Sequence, residues 1–251
     1  MCPMLPMLFE DSENSLQSIT LTGNPFTGAY LPPTFLTKKP LLLEFYCGSC
    51  GLKGGIPAWS NNLETLFLDV NSFTKLPFTF ITISKQESKM KVLSLAVNSL
   101  QDNFDGISPY LAEGLDTLSL HTNPKLYGNA VPTPILPNLR VLHTELTAMA
   151  GTLEDLPASL QHLYVGCSQP VCRRTDTVGR MLPRVSGFMP DFTTVTPNLQ
   201  GLSLDGVDLD WEGKAPAEIG LRNLRHLVFN GIPTLSGTLP SLSGSNKLKT
   251  M

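Results

Sequence analysis

The sequence predicts a solenoid in which short coils stack along one axis and each contributes one strand to a continuous parallel β-sheet. Three observations carry this prediction. Apolar residues recur at +3, +5 and +10 from a leading Leu or Met, repeatedly along the chain. A side chain able to bond to backbone stands at +8 in most of these units. The 21 prolines and 20 glycines among 251 residues argue against long helices.

The units can be taken in order. Met4-Leu5-Pro6 reads as the tail of a repeat, and the first full unit then runs Leu16, Ile19, Leu21, Asn24, Phe26, Gly28, Leu31, Pro32. The second is Leu42, Phe45, Cys47, Cys50, Leu52, Gly54, Ile56, Pro57. The third, Leu63, Leu66, Leu68, Asn71, Phe73, carries Lys75 where glycine is expected. Units four to six start at Met90, Leu115 and Leu139, with Asn98, Asn123 and Thr147 at +8. A seventh starts at Leu160 with Ser168 at +8 and is interrupted. Its ending, Val185-Ser-Gly187-Phe-Met189-Pro190, arrives about fifteen residues late. Units eight and nine start at Leu199 and Leu224, where Val207 and Ile232 replace the +8 polar residue and should weaken the ladder. Leu248 opens a tenth.

Within a coil, residues +2 to +6 are extended, and alternation sends +3 and +5 inward while +2, +4 and +6 face out. Each strand pairs with its equivalent about 4.8 Å away. At +8 the chain turns, and Asn can satisfy backbone groups that would otherwise be buried unpaired. Glycine after it permits a positive-φ corner, and proline stops the turn from becoming a helix. One coil cannot bury its own apolar edge, so stability comes from stacking. No 3.6-residue stripe marks the far side, which should hold 3₁₀ turns and irregular or β segments.

This spacing resembles the leucine-rich repeat, L-x-x-L-x-L-x-x-N/C-x-L, extended by the G-x-I-P ending of plant-type receptor repeats. The resemblance covers roughly residues 4–251 as a single domain and implies a right-handed α/β-type leucine-rich-repeat solenoid with its parallel sheet on the concave side. A chain that opens inside one repeat and closes on another is expected to be part of a longer solenoid or else to have weakly protected ends at 1–15 and 241–251.

Candidate chemistry is sparse. Net charge is -3, so no basic field concentrates nucleic acid. No apolar run reaches the ~18–20 residues that span a bilayer, and Met1–Phe9 lacks the basic start of a secretory signal. Five cysteines in so long a chain do not read as a disulfide framework. Cys47 and Cys50, at +5 and +8, read as small core fillers rather than a redox or zinc pair. Cys167 and Cys172 lie five coils away and could bond to each other only in an oxidising compartment. Gly48-x-x-Gly51-x-x-Gly54 lacks a phosphate loop's G-K-[ST] ending. Residues 169–184, with Arg173, Arg174, Arg180 and Arg184, read as a mobile loop insertion, with docking of an acidic partner as the rarer alternative.

The outward strand positions are the candidate binding set: Glu44, Tyr46, Phe67, Asp69, His121, His143, Glu145, His162, Tyr164, Asp205 and His226. All four histidines fall there, and no Lys or Arg does. Exposed aromatics on strands have no core reason to exist, and Tyr favours binding surfaces. The acids among them should favour a neutral or basic partner, and charging of the histidines toward pH 6 should weaken that preference.

The family resemblance implies a non-catalytic module that binds a protein or peptide on the concave face, without cofactor, metal or nucleic acid. Its specific form would be a receptor-like ectodomain at the cell surface. An intracellular, cytoplasmic scaffold, the regulatory arm of a larger enzyme such as a receptor kinase, and a structural surface protein stay open beside it.

Overall fold

The computed structural model describes residues 15–77, 87–132, 136–173, 184–210, 221–235, 242 and 244–250. In chain order its strands are β1 (Ser18–Thr20), β2 (Glu44–Tyr46), β3 (Lys53–Gly55), β4 (Thr65–Phe67), β5 (Ser72–Lys75), β6 (Val92–Ser94) and β7 (Thr117–Ser119). They continue as β8 (Val141–His143), β9 (His162–Gly166), β10 (Ser186–Phe188), β11 (Gly201–Asp205), β12 (Asp208–Asp210) and β13 (His226–Asn230).

Nine of them form one parallel sheet in the order β1-β2-β4-β6-β7-β8-β9-β11-β13. The register is the repeat register: Ile19, Phe45, Leu66, Leu93, Leu118, Leu142, Leu163, Leu202 and Leu227 lie in one row. Each of these +3 residues is buried, and the short strands read half-exposed, buried, half-exposed because alternation has period two. Behind the sheet one continuous apolar core extends from Ile19 to Ile232.

After the main strand each coil turns. Two small parallel pairs, β3–β5 and β10–β12, flank the main sheet. The remainder holds 3₁₀ turns such as Phe104–Gly106 and Ser108–Tyr110, and one α-turn, α1 (Phe192–Val195). Asp191 caps α1 by accepting from the Thr193 amide. The expected poverty of helix therefore holds across the described residues. Repeat geometry resumes at Val185, which is buried and bridges Gly151. Most of the 169–184 insertion, and nearly all of the N-terminal stretch 1–15, lies outside the described residues.

The ladder at +8 is the strongest local feature. Asn98 donates to the carbonyls of Leu95 and Ala96 in its own coil and of Leu68 in the preceding one, while its Oδ1 accepts from the Phe73 amide. Asn71 and Asn123 repeat the arrangement, with the Leu52 and Leu100 amides donating to them. The corner that makes this possible is at +7, one residue earlier than the sequence suggests. Ser49, Val70, Val97, Thr122 and Leu146 all have φ between 53° and 57°. For β-branched Val70 and Val97 this is costly, on the order of 1–3 kcal/mol each, and it persists because the adjoining asparagine bonds over-determine it. Glycines such as Gly54 and Gly151 supply a second positive-φ corner further on, as expected.

The cysteine expectation is corrected. Cys47 and Cys50 are core residues, but they are bonded to each other, with Cα atoms 5.6 Å apart. The +7 corner folds +8 back over +5, which lets Asn71 reach the Leu68 carbonyl and here lets sulfur reach sulfur. Cys50 Sγ lies 3.3 Å from the Leu21 carbonyl, where an asparagine would donate, but a disulfide sulfur has no hydrogen to give. Cys167 and Cys172 form a second disulfide across the start of the insertion.

Two buried polar side chains should respond to mutation with opposite sign. Asn123, fully buried with its bonds made, should cost about 1–3 kcal/mol as Asn123→Ala. Thr144, at a +5 core position, buries an Oγ1 with no partner, so Thr144→Val should stabilise by about 1 kcal/mol. Chemical denaturation of both variants checks this. A stabilised Asn123→Ala or a destabilised Thr144→Val would contradict the assigned roles.

Candidate functional site

Strict register converts the outward positions into columns across the open face of the sheet. The +4 column runs Thr20, Tyr46, Phe67, Ser94, Ser119, His143, Tyr164, Ser203, Val228. Two aromatic pairs stand in it, separated by two serines. Tyr46 and Phe67 face each other with ring centroids 6.2 Å apart, tilted by 41°. Phe67 lies over Gly48, where a Cβ would stand 2.6 Å from its Cε1, so the missing side chain at that position seats the ring.

The second group is a larger cluster. His143 stacks on His121 at 3.9 Å and meets Tyr164 edge-on at 5.0 Å. Its Nε2 lies 3.2 Å from Glu145 Oε2. Tyr164 Oη is 3.1 Å from His162 Nδ1 and leans across Gly201, where an added Cβ would have to displace the Tyr164 and His162 rings. Sequence placed His143 and Tyr164 in one column correctly. The diagonal stack of His121 on His143 is new, because it depends on ring rotamers rather than on register.

The electrostatics differ from the expected acidic face. Glu44 accepts from Ser18 Oγ at 3.1 Å. Asp69 is half-buried, and burial pushes its carboxyl pKa up against the opposing pull of bonds from Ser94 Oγ and the Ala96 amide. Asp205 is 9% exposed and accepts from the Ser168 amide and Asn230 Nδ2, so it joins coils rather than facing a ligand. Burial, and then the proximity of His143, lower His121 to about 4, with Glu145 opposing. His162 is lowered by burial first, then by His226, Arg140 and Arg225. Tyr164 is raised, chiefly by burial. Acidification to about pH 6 therefore leaves His121 uncharged, which corrects the expected pH effect there. His226 stands apart at the far edge, exposed, beside Thr250.

Sequence reasoning missed the +1 column, whose signal is the residue after each leading Leu or Met. It holds Glu64, Lys91, Asp116, Arg140, Gln161, Gln200, Arg225 and Lys249. Lys91 pairs with Glu64 at 2.6 Å and Arg140 with Asp116 at 3.2 Å. These exposed pairs stitch successive coils, each contributing little. Among the described residues no group of three or more His, Cys, Asp or Glu could hold a metal ion. No described helix is long and apolar enough to cross a membrane.

No family model matches the chain. It is 28% identical over 138 residues to the receptor-like kinase TMK2 of Arabidopsis thaliana, a match spanning 52% of this chain and 14% of that protein. Among solved structures, the PEPR1–AtPEP1 complex matches with a TM-score of 0.68 and 25% identity, covering 95% of this chain and 31% of its counterpart. The Arabidopsis receptor kinase HAESA, in complex with the peptide hormone IDA and the co-receptor SERK1, matches with a TM-score of 0.58 and 17% identity, over 96% and 42%. The leucine-rich-repeat ectodomain of GASSHO1/SCHENGEN3 from Arabidopsis thaliana matches at 0.55 and 17%, over 86% and 27%. The chain spans less than half the length of each. The fold is that of the leucine-rich-repeat solenoids; HAESA and GASSHO1, at such low identity, are likenesses of fold alone.

The depressed His121 pKa has a stability consequence. Below about pH 6.5 the unfolded chain takes up this proton first, so the contribution is fully present above that pH and is lost as pH falls toward about 4. Thermal melts of the parent should lose Tm over that window by more than those of His121→Asn. Equal losses would show that His121 titrates normally.

Proposed function

We propose that this chain is the ligand-binding repeat array of a receptor-type protein, displayed outside the cell, which recognises a peptide or protein segment on the open, concave face of its main sheet. The observation that carries the reading is the ring cluster of His121, His143, Tyr164 and His162. It runs across three successive coils, on β8, β9 and the turn after β7, half-buried. Aromatic and amphipathic side chains in that position supply binding area at low conformational cost. The likeness to PEPR1, solved in complex with AtPEP1, supports a ligand-binding role for the array. Two disulfides favour an oxidising compartment over a cytoplasmic scaffold. The array contributes recognition rather than chemistry. Nucleic acid is a poor candidate, since the +2, +4 and +6 columns carry carboxylates and no Lys or Arg.

Short random peptides displayed on phage and selected on the immobilised chain test this. Enriched clones should bind the parent and lose affinity by about tenfold or more on His143→Ala/Tyr164→Ala. They should be indifferent to Tyr110→Ala/Phe188→Ala, two exposed aromatics off the main sheet. Clones lost on the second variant and kept on the first would move the site elsewhere.

A further inference from the structure

The two aromatic pairs of the +4 column have a fixed separation, and that separation specifies a ligand. Phe67, Ser94, Ser119 and His143 are consecutive in register, so three strand intervals of about 4.8 Å place the two ring walls about 14 Å apart. Between them the floor is made of small side chains: Ser94, Ala96 and Ser119. The Ser94 hydroxyl is held down by its bonds to Asp69, and Ala96 is buried. An extended chain advances about 3.3 Å per residue and presents alternate side chains on one side. Four residues therefore cover about 13 Å and return to the same side.

Resting on the concave-face reading, we infer that the ligand is an extended peptide crossing β4, β6, β7 and β8, with bulky uncharged side chains at positions i and i+4. The first packs against Tyr46 and Phe67, the second against His143 and Tyr164. The i+2 side chain descends onto the serine floor. Positions i+2 and i+6 relative to the first anchor lie at about 7 and 20 Å and miss the second wall, while i+3 points away from the sheet. The anchors are uncharged because the walls present ring faces to them, while the carboxylates beside the rings are turned to groups of the chain itself. Asp69 already accepts from Ser94 and Ala96, and Glu145 is held by His143. No Lys or Arg stands in these columns to meet an acid.

The experiment reads the sequences of the phage-selected clones and the binding of one synthetic clone to the full chain. Aromatic or large aliphatic residues should be enriched at a spacing of four. Affinity should fall about tenfold or more on Phe67→Ala and, separately, on His143→Ala. Moving the second anchor to i+3 or i+2 should lose as much. Ser119→Trp, which raises the floor beside the second wall, should abolish binding as well, and Ser94→Trp, beside the first wall, stands in if Phe67→Ala fails to fold. Binding that depends on His143 and Tyr164 but is indifferent to Phe67, to Ser119→Trp and to anchor spacing would overturn this inference and leave the concave-face reading standing. Binding indifferent to both walls would overturn both.

Discussion

Buried asparagine at the corner after each strand is the interaction on which the rest of this molecule depends. Asn71, Asn98 and Asn123 each reach carbonyls in two successive coils and accept an amide from the coil before. Apolar contacts supply most of the stabilisation, but they are non-directional and would tolerate a slipped strand. The asparagine bonds are directional, and they can be made only when +8 of one coil sits above +10 of its neighbour. Register follows from that requirement. Because register holds across all nine strands, side chains far apart in sequence stand in straight columns on the open face.

Where the ladder changes, the substitutes follow the same geometry. Cys50 exchanges an amide for a covalent bond to Cys47 across the same corner. Thr147 keeps one bond, to the Thr144 carbonyl, and receives the Met149 amide. With Val207 and Ile232 the polar connection moves to +6, where Asn230 donates to Asp205 and Asp205 receives the Ser168 amide. Asp205 is thus engaged between coils at a place where Val207 and Ile232 stand at +8 instead of asparagine.

Much of this was legible in the sequence. The leading Leu or Met of each unit located the nine main strands, and alternation sorted Tyr46, Phe67, His143 and Tyr164 onto the open face. Resumption of the repeat at Val185 was readable because only a coil ending places Val, Gly and Pro at that spacing. Properties that depend on three-dimensional neighbours were not. The Cys47–Cys50 bond needs the +7 corner, and that corner hides under ordinary residues such as Val70 and Val97. The lowered pKa of His121 comes first from burial and then from His143, whose ring stacks on it from the next coil, and Asp205 is engaged by Asn230, a coil away.

If one side chain per coil fixes the stacking, hydrogen exchange at single-residue resolution will show it. In the native chain the amides of Leu52, Phe73 and Leu100, which donate to Asn71, Asn98 and Asn123, should be among the slowest to exchange. In Asn123→Ala the Leu100 amide should accelerate strongly, while the Leu52 amide, three coils from the change, stays protected. Unchanged protection at Leu100, or a uniform acceleration across all three amides, would contradict a stack held coil by coil through its asparagines.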